Sequence, residues 1–265
     1  MSMTLFKNTL KRNWVLLMIF VGVLSMYMTV MLSMYNPDDM ELLSSMIELF
    51  PPELMKAMGF ESIVTNLTGY LASWLYGLLM LGFPLVYCVI LGNRLVAKMV
   101  DNSSFAYLLS TPNSRVRIIV TQGLYAIASV AALMTFIFGA GVLLSTVMFP
   151  GMLDVGQFMR LNLTTMLVNM SVMMISFFFS CLFNDTKFSL LFGAGIPIAF
   201  LLMKMLGGVS EEGSLIKKAS IYGFYDPVKL VAGESMVSVN LIYITIIVAL
   251  FAGGVIIFRR KRLPL

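Results

Sequence analysis

The 265-residue sequence contains no histidine, and Asp, Glu, Lys and Arg together make up only 12% of it. Without imidazole there is no Ser-His-Asp triad, no HExxH zinc site and no histidine proton relay. None of the 20 glycines is followed by lysine, so the phosphate-cradling loop of P-loop ATPases is absent. The two cysteines, Cys88 and Cys181, make no CxxC motif, and both fall in apolar runs. What the chain has in excess is apolar: 59% hydrophobic residues, 24 Met, 20 Phe and a mean hydropathy of +0.93. Soluble domains carry about a quarter charged residues, so this composition excludes a soluble globular protein.

A helix of about 20 residues crosses the hydrocarbon of a bilayer. Six apolar runs are long enough: 14–35, 67–91, 118–149, 161–183, 188–206 and 239–258. The expected fold is a single all-α transmembrane domain over 1–265, and an even number of spans puts both termini on one side. With the N-terminus in the cytoplasm, the inner segments hold twelve of the 18 Lys and Arg but only Asp101 and Asp185 among the acids, whereas the outer segments hold eleven of the 13 acids. Basic residues stay on the cytoplasmic side of membrane helices, which predicts N-in and C-in.

Before the first span, Met3, Phe6, Leu10 and Trp14 recur at steps of three and four while Lys7 and Lys11 lie off that stripe. This is the pattern of an interfacial elbow helix over 1–13; a disordered basic tail is the plainer alternative. Between the first two spans, Asn36 and Pro37 can start a helix that Pro51 and Pro52 end, and a second helix over 53–58 is closed by Gly59. This helical outer loop suits a lid above the bundle and a role in substrate release equally.

A charge at mid-bilayer is expensive and marks ion or proton pathways. The six runs hold one, Lys204, near a span end from which its stem can snorkel. The composition therefore favours passage of something apolar or amphipathic, driven from outside this chain. Small-residue pairs one turn apart, Ala128/Ala132, Ala249/Gly253 and Ser73/Gly77, predict close helix approaches. Pro197, following Gly193 and Gly195, should loosen or kink the fifth span as a hinge. Met166, Met170, Met173, Met174 and Phe177 share one face of the fourth span and form a candidate substrate path; adaptable Met side chains also serve as gap-fillers.

On the inner side between the second and third spans, Asp101, Asn102 or Ser103 can cap a short helix at about 101–111, whose Phe105, Leu108 and Leu109 share a face and which Pro112 stops. Such a helix suits a groove on a partner protein, and a surface-lying connector fits the same residues. The inner turn Asn184–Lys187 is short enough for a minor contact or a plain tight connection.

The stretch Leu108-Leu109-Ser110-x-Pro112-x-Ser114-Arg115 resembles one in the permease subunits of type 2 ATP-binding-cassette (ABC-2) exporters. The likeness extends to Pro51-Pro52-Glu53-Leu54 through Gly69-Tyr70-Leu71 and to Tyr225-Asp226-Pro227, and with the order of spans it covers essentially the whole chain. Ser103-Ser104 stands where the family often has Gly-Thr, and Ala106 and Lys98 stand where acids are common. The resemblance implies a cytosolic coupling helix that engages a separate ABC ATPase through Asp101, Ser103, Ser104, Phe105, Leu108, Leu109, Pro112 and Arg115. It also implies two permease chains, this one paired with itself or a relative, in the lipids of the bacterial cell membrane, with no nucleic-acid partner. ATP and Mg would sit on the ATPase, and this chain, not itself an enzyme, would carry no catalytic, cofactor-binding or metal-binding residues. The form without a large external domain resembles bacterial peptide and toxin exporters, including those for phenol-soluble modulins, which implies export of antimicrobial or cytolytic peptides by alternating access. By themselves the residues also allow a non-transport membrane anchor, sensor or assembly factor.

Overall fold

The computed structural model describes residues 1–37, 51, 66–110, 113–207 and 219–261. Among these residues every regular element is helical. In chain order they are α1 (Met3–Met34), α2 (Leu67–Trp74), a π-helical turn (Leu75–Leu79), α3 (Met80–Leu95), α4 (Ala97–Asp101), α5 (Ser104–Leu109), α6 (Arg115–Met148), α7 (Val155–Leu182), α8 (Thr186–Gly207), a 3-10 turn (Ile221–Phe224), α9 (Pro227–Val231) and α10 (Val237–Arg260). Six stretches are long and apolar enough to cross a membrane: α1, Leu67–Asp101, α6, α7, α8 and α10. Helices are the outcome because lipid offers no partner for a backbone N–H or C=O, so each span must satisfy its own. The helices expected between Asn36 and Asn66 lie outside the described residues.

Polar side chains start the helices. Asn66 accepts from the Gly69 N–H at 2.7 Å, Ser114 from Arg117 at 3.2 Å and Asp154 from Gln157 at 3.0 Å. Asp226 caps α9, with Pro227 in its first turn.

Contacts fix the directions of the spans. α1 and α6 run parallel, since Phe6 meets Tyr125 at 5.5 Å near their starts and Tyr35 meets Phe149 at 5.2 Å near their ends. α3 and α7 run the other way together, with Asn169 on the Met80 carbonyl and, further along both, Ser180 on the Ala97 N–H. α10 is parallel to α7, joined by Thr164–Asn240 at 3.0 Å and by Gly254 beside Cys181. Both ends of the described chain therefore lie at one end of the bundle, as an even number of crossings requires. The residues expected as an elbow are continuous with the first span: α1 runs unbroken from Met3, its start held to α6 by the Ser2 N–H donating to Thr121 Oγ1 at 2.9 Å.

α7 is the centre. Of its most apolar stretch, 72% is buried within the chain, against 17% for α8. It also repairs two proline faults. Pro84 in α3 has no N–H for the Met80 carbonyl, and Asn169 Nδ2 donates to that carbonyl at 3.1 Å. Pro197 in α8 leaves the Gly193 carbonyl without its helical donor, and Ser176 Oγ supplies one at 2.8 Å. The expected hinge at Pro197 is thus found inside a continuous helix with its freed carbonyl paired. Upstream of Pro84, the π turn brings Tyr76 onto Asn162 Oδ1 at 2.7 Å, while the Tyr225 hydroxyl reaches the Tyr76 carbonyl at 3.3 Å and Thr165 at 2.8 Å. Lys204, expected to snorkel, has its ammonium 4.9 Å from the centre of the Tyr225 ring.

The small-residue pairs mark close approaches only in part: Ser73 and Gly77 are buried, and a Cβ at Gly253 would stand 3.1 Å from the Phe178 ring. Ala128, Ala132 and Ala249 are exposed on the outside of the bundle, whereas Gly92 and Gly193 both lie against Ser176. One-turn spacing marks a smooth face without saying which way it points.

Candidate functional site at the basic end of the bundle

The end that carries both termini also carries most of the basic residues, among them Lys7, Lys11, Arg12, Arg94, Lys98, Arg115 and Arg117, and of the described acids only Asp101 and Asp185. Between α3 and α6 the chain leaves the bundle as a hairpin of two short helices. It breaks at Val96 (φ −135°, ψ −67°), forms α4, turns at Asn102-Ser103 and returns as α5.

The break leaves the Ala97 N–H without a helical acceptor, and Ser180 Oγ of α7 accepts it at 2.7 Å. The turn depends on Ser103, the one described non-glycine residue with positive φ, at +58°. Its side chain does not cap α5; the Asn102 side chain instead accepts from the Ser104 N–H at 3.2 Å. A glycine at 103, as the resemblance expects, has no Cβ to strain there. Ser103→Gly is expected to raise stability by about 0.5–1 kcal/mol, and an unchanged or lower thermal midpoint would show that the turn is not left-handed.

Phe105 is fully buried, its ring 5.1 Å from that of Phe258 in α10. Leu108 and Leu109 are half-buried, while Asp101, Asn102 and Ser103 are exposed and Tyr107 is 80% exposed. Of the expected apolar face, Phe105 therefore points into the bundle, and Tyr107, passed over in the sequence, stands outermost. Pro112 lies outside the described residues. Arg115 at the start of α6 donates to the Lys261 carbonyl at 3.3 Å, and Lys261 Nζ donates to the Cys181 carbonyl at 2.9 Å, closing the open end of α7. The hairpin is thus tied to α7 through Ser180 and to α10 through Phe258, with Lys261 joining α6, α7 and α10 beside it. Ser180, Phe258 and Lys261 have no local signature in the sequence, because their roles exist only across spans.

Burial holds the Lys261 ammonium at about 8, below its ordinary 10.5, with neighbouring Cys181 opposing the shift. Between those values the unfolded chain binds a proton that the folded chain does not, so stability rises with pH across that window and is flat below about 8. The thermal midpoint of the wild type minus that of Lys261→Met is expected to increase from pH 7.5 to 10; a constant difference would put Lys261 in water.

The candidate path residues lie in closed packing: Met173, Met174 and Phe177 are fully buried, Met170 nearly so and Met166 half-buried. Among the described residues no group of three or more Cys, Asp or Glu could hold a metal ion.

Six membrane-length helices with α7 at their centre, and a tied helical hairpin at one end, define a multi-pass α-helical membrane protein. The family model of the ABC-2 family transporter protein matches residues 6–262, nearly the whole chain, and the chain belongs to that family. It is accordingly a membrane component of an ABC transporter, as the Leu108–Arg115 resemblance implied. In sequence, it has no match among curated proteins.

Proposed function

We propose that this chain is the permease subunit of an ATP-driven exporter, with the α4–α5 hairpin as its coupling element. Two copies, or this chain and a relative, pair in the bacterial cell membrane with both termini cytoplasmic. Two separate ATPase subunits bind ATP and Mg and act on the hairpin. The observation that carries this reading is the double tie of the hairpin: force on the exposed Asp101–Ser103 turn and Tyr107 passes through Ala97–Ser180 to α7 and through Phe105–Phe258 to α10. The central helix would then move against its neighbours, and an apolar or amphipathic substrate, such as a cytolytic peptide, would cross where packing changes around Met166–Phe177.

Two measurements test it. A cysteine at position 107 should react with a membrane-impermeant maleimide in inside-out vesicles and not in whole cells, since Cys88 and Cys181 are buried; labelling of whole cells would reverse the orientation. Co-expressed with the candidate ABC ATPases of the same organism, the chain should co-purify with one of them and be required for its ATPase activity in nanodiscs. A chain that binds no ATPase would favour the anchor or sensor reading.

A further inference from the structure

A cleft of about 160 Å³ lies between the first turns of α1, the base of α3 and α5. Two arginines from different spans line it, Arg12 and Arg94, with Asn8, Asn13 and Gln122 as polar wall and Met99 and Leu108 as apolar floor. It adjoins a groove of about 520 Å³ that shares Asn8 and Leu108 and adds Lys7 and Lys11. Among the described residues no carboxylate lines either space, and neither arginine forms an ion pair. Asn13 and Gln122 are buried and Arg12 and Arg94 exposed, so the cations can turn toward a ligand while the wall stays fixed.

The level of the cleft in the bundle narrows the ligand. Trp14, two residues beyond Arg12, is 55% exposed on the outside of α1, and from Val15 to Ile19 that outer face is apolar. An outward tryptophan at the end of a span marks the headgroup layer. Arg12 therefore sits where phospholipid phosphates sit, and guanidinium forks pair with phosphate oxygens through two hydrogen bonds at once.

We propose that this cleft binds the phosphate of an anionic phospholipid, held between Arg12 and Arg94, with the acyl chains running outward along α1. A lipid there bridges the first span to α5, since Ser104, Tyr107 and Leu108 line the same cleft. The site is a property of this chain alone and stands or falls apart from the ATPase reading.

The test is native mass spectrometry of the full-length chain released from detergent, titrated with phosphatidylglycerol, with phosphatidylcholine of the same acyl chains, and with inorganic phosphate. Phosphatidylglycerol is expected to be retained about ten-fold more than phosphatidylcholine. Arg12→Gln with Arg94→Gln should remove that preference. Arg12→Lys with Arg94→Lys should keep part of it, and Lys187→Gln, at the same end but outside the cleft, should keep all of it. Equal retention of the two lipids by the wild type, or an undiminished preference in the double glutamine variant, overturns the proposal. Displacement of phosphatidylglycerol by millimolar inorganic phosphate would assign the cleft to a free phosphate and overturn the lipid source.

Discussion

Gly92→Ala is expected to destabilise the chain by about 2–3 kcal/mol and to lower its thermal midpoint in detergent by roughly 5–10 °C. The added methyl would lie 2.7 Å from Ser176 Cβ, 3.1 Å from the Ser176 carbonyl carbon and 3.2 Å from the Phe177 nitrogen. Two of those three atoms are backbone and cannot rotate aside. Nor can α7 retreat freely, because on its other side Ser176 is bonded to the Gly193 carbonyl at 2.8 Å and a Cβ at Gly193 would already stand 3.3 Å from Ser176 Cα. The strain must separate α3 from α7, and just beyond lies the Ala97–Ser180 hydrogen bond that ties the hairpin. Gly123 makes a useful contrast: its nearest obstacle is the ring edge of Phe251, which can swing, so alanine there should be milder. Gly82, on the same span as Gly92, has nothing within 4 Å, and Gly82→Ala should leave the midpoint unchanged or raise it. A Gly92→Ala midpoint equal to that of Gly82→Ala would show that α3 and α7 do not meet at this distance.

Phe105→Ala is expected to release the hairpin while leaving the six spans intact. Emptying a fully buried phenylalanine site costs about 3–5 kcal/mol in well-packed cores. The six residues of α5 have no helical stability of their own to absorb that loss. Limited proteolysis should therefore cut between residues 97 and 115 at least about ten-fold faster than in the wild type, with the helical circular dichroism preserved. Phe258→Ala removes the same contact from the other side, and the double variant should fall short of the sum by about 1 kcal/mol. Tyr107→Ala supplies the opposite case. At 80% exposure it should leave proteolysis and thermal stability unchanged, yet weaken capture of the ATPase if the hairpin is the coupling element. Unaltered proteolysis of Phe105→Ala would detach α5 from α10.

The six spans were legible because an uninterrupted apolar run has one solution in lipid, and each run indeed lies within a helix or reaches a residue or two past its end. Their ends were less so: Lys7, Lys11 and Arg12 suggested a separate surface helix, whereas the stripe through Met3, Phe6 and Leu10 continues in phase into α1. The hairpin could be placed in sequence but not oriented. An amphipathic face tells which residues go together, and Phe105 facing its own bundle looks the same, one residue at a time, as Phe105 facing a partner. Pairings between spans had no local trace at all. Nothing around Pro84 names Asn169, and nothing around Pro197 names Ser176, because each match joins segments far apart in the chain.

The polar side chains that make α7 the centre also burden its entry into the membrane. Its best window is the least hydropathic of the six, 1.8 against 2.7 for α10, and Asn162, Thr165, Asn169, Ser176 and Ser180 find partners on other elements only after those have arrived. During synthesis the translocon would meet a segment that partitions poorly by itself. In a reporter that scores insertion of single segments, α7 should enter less efficiently than α10 and gain from having residues 67–148 ahead of it. Biogenesis of this transporter component would then be ordered: the fourth crossing meets Tyr76, Met80 and Ala97 of the already inserted second, and is completed only when Gly193 and Tyr225 arrive with and after the fifth.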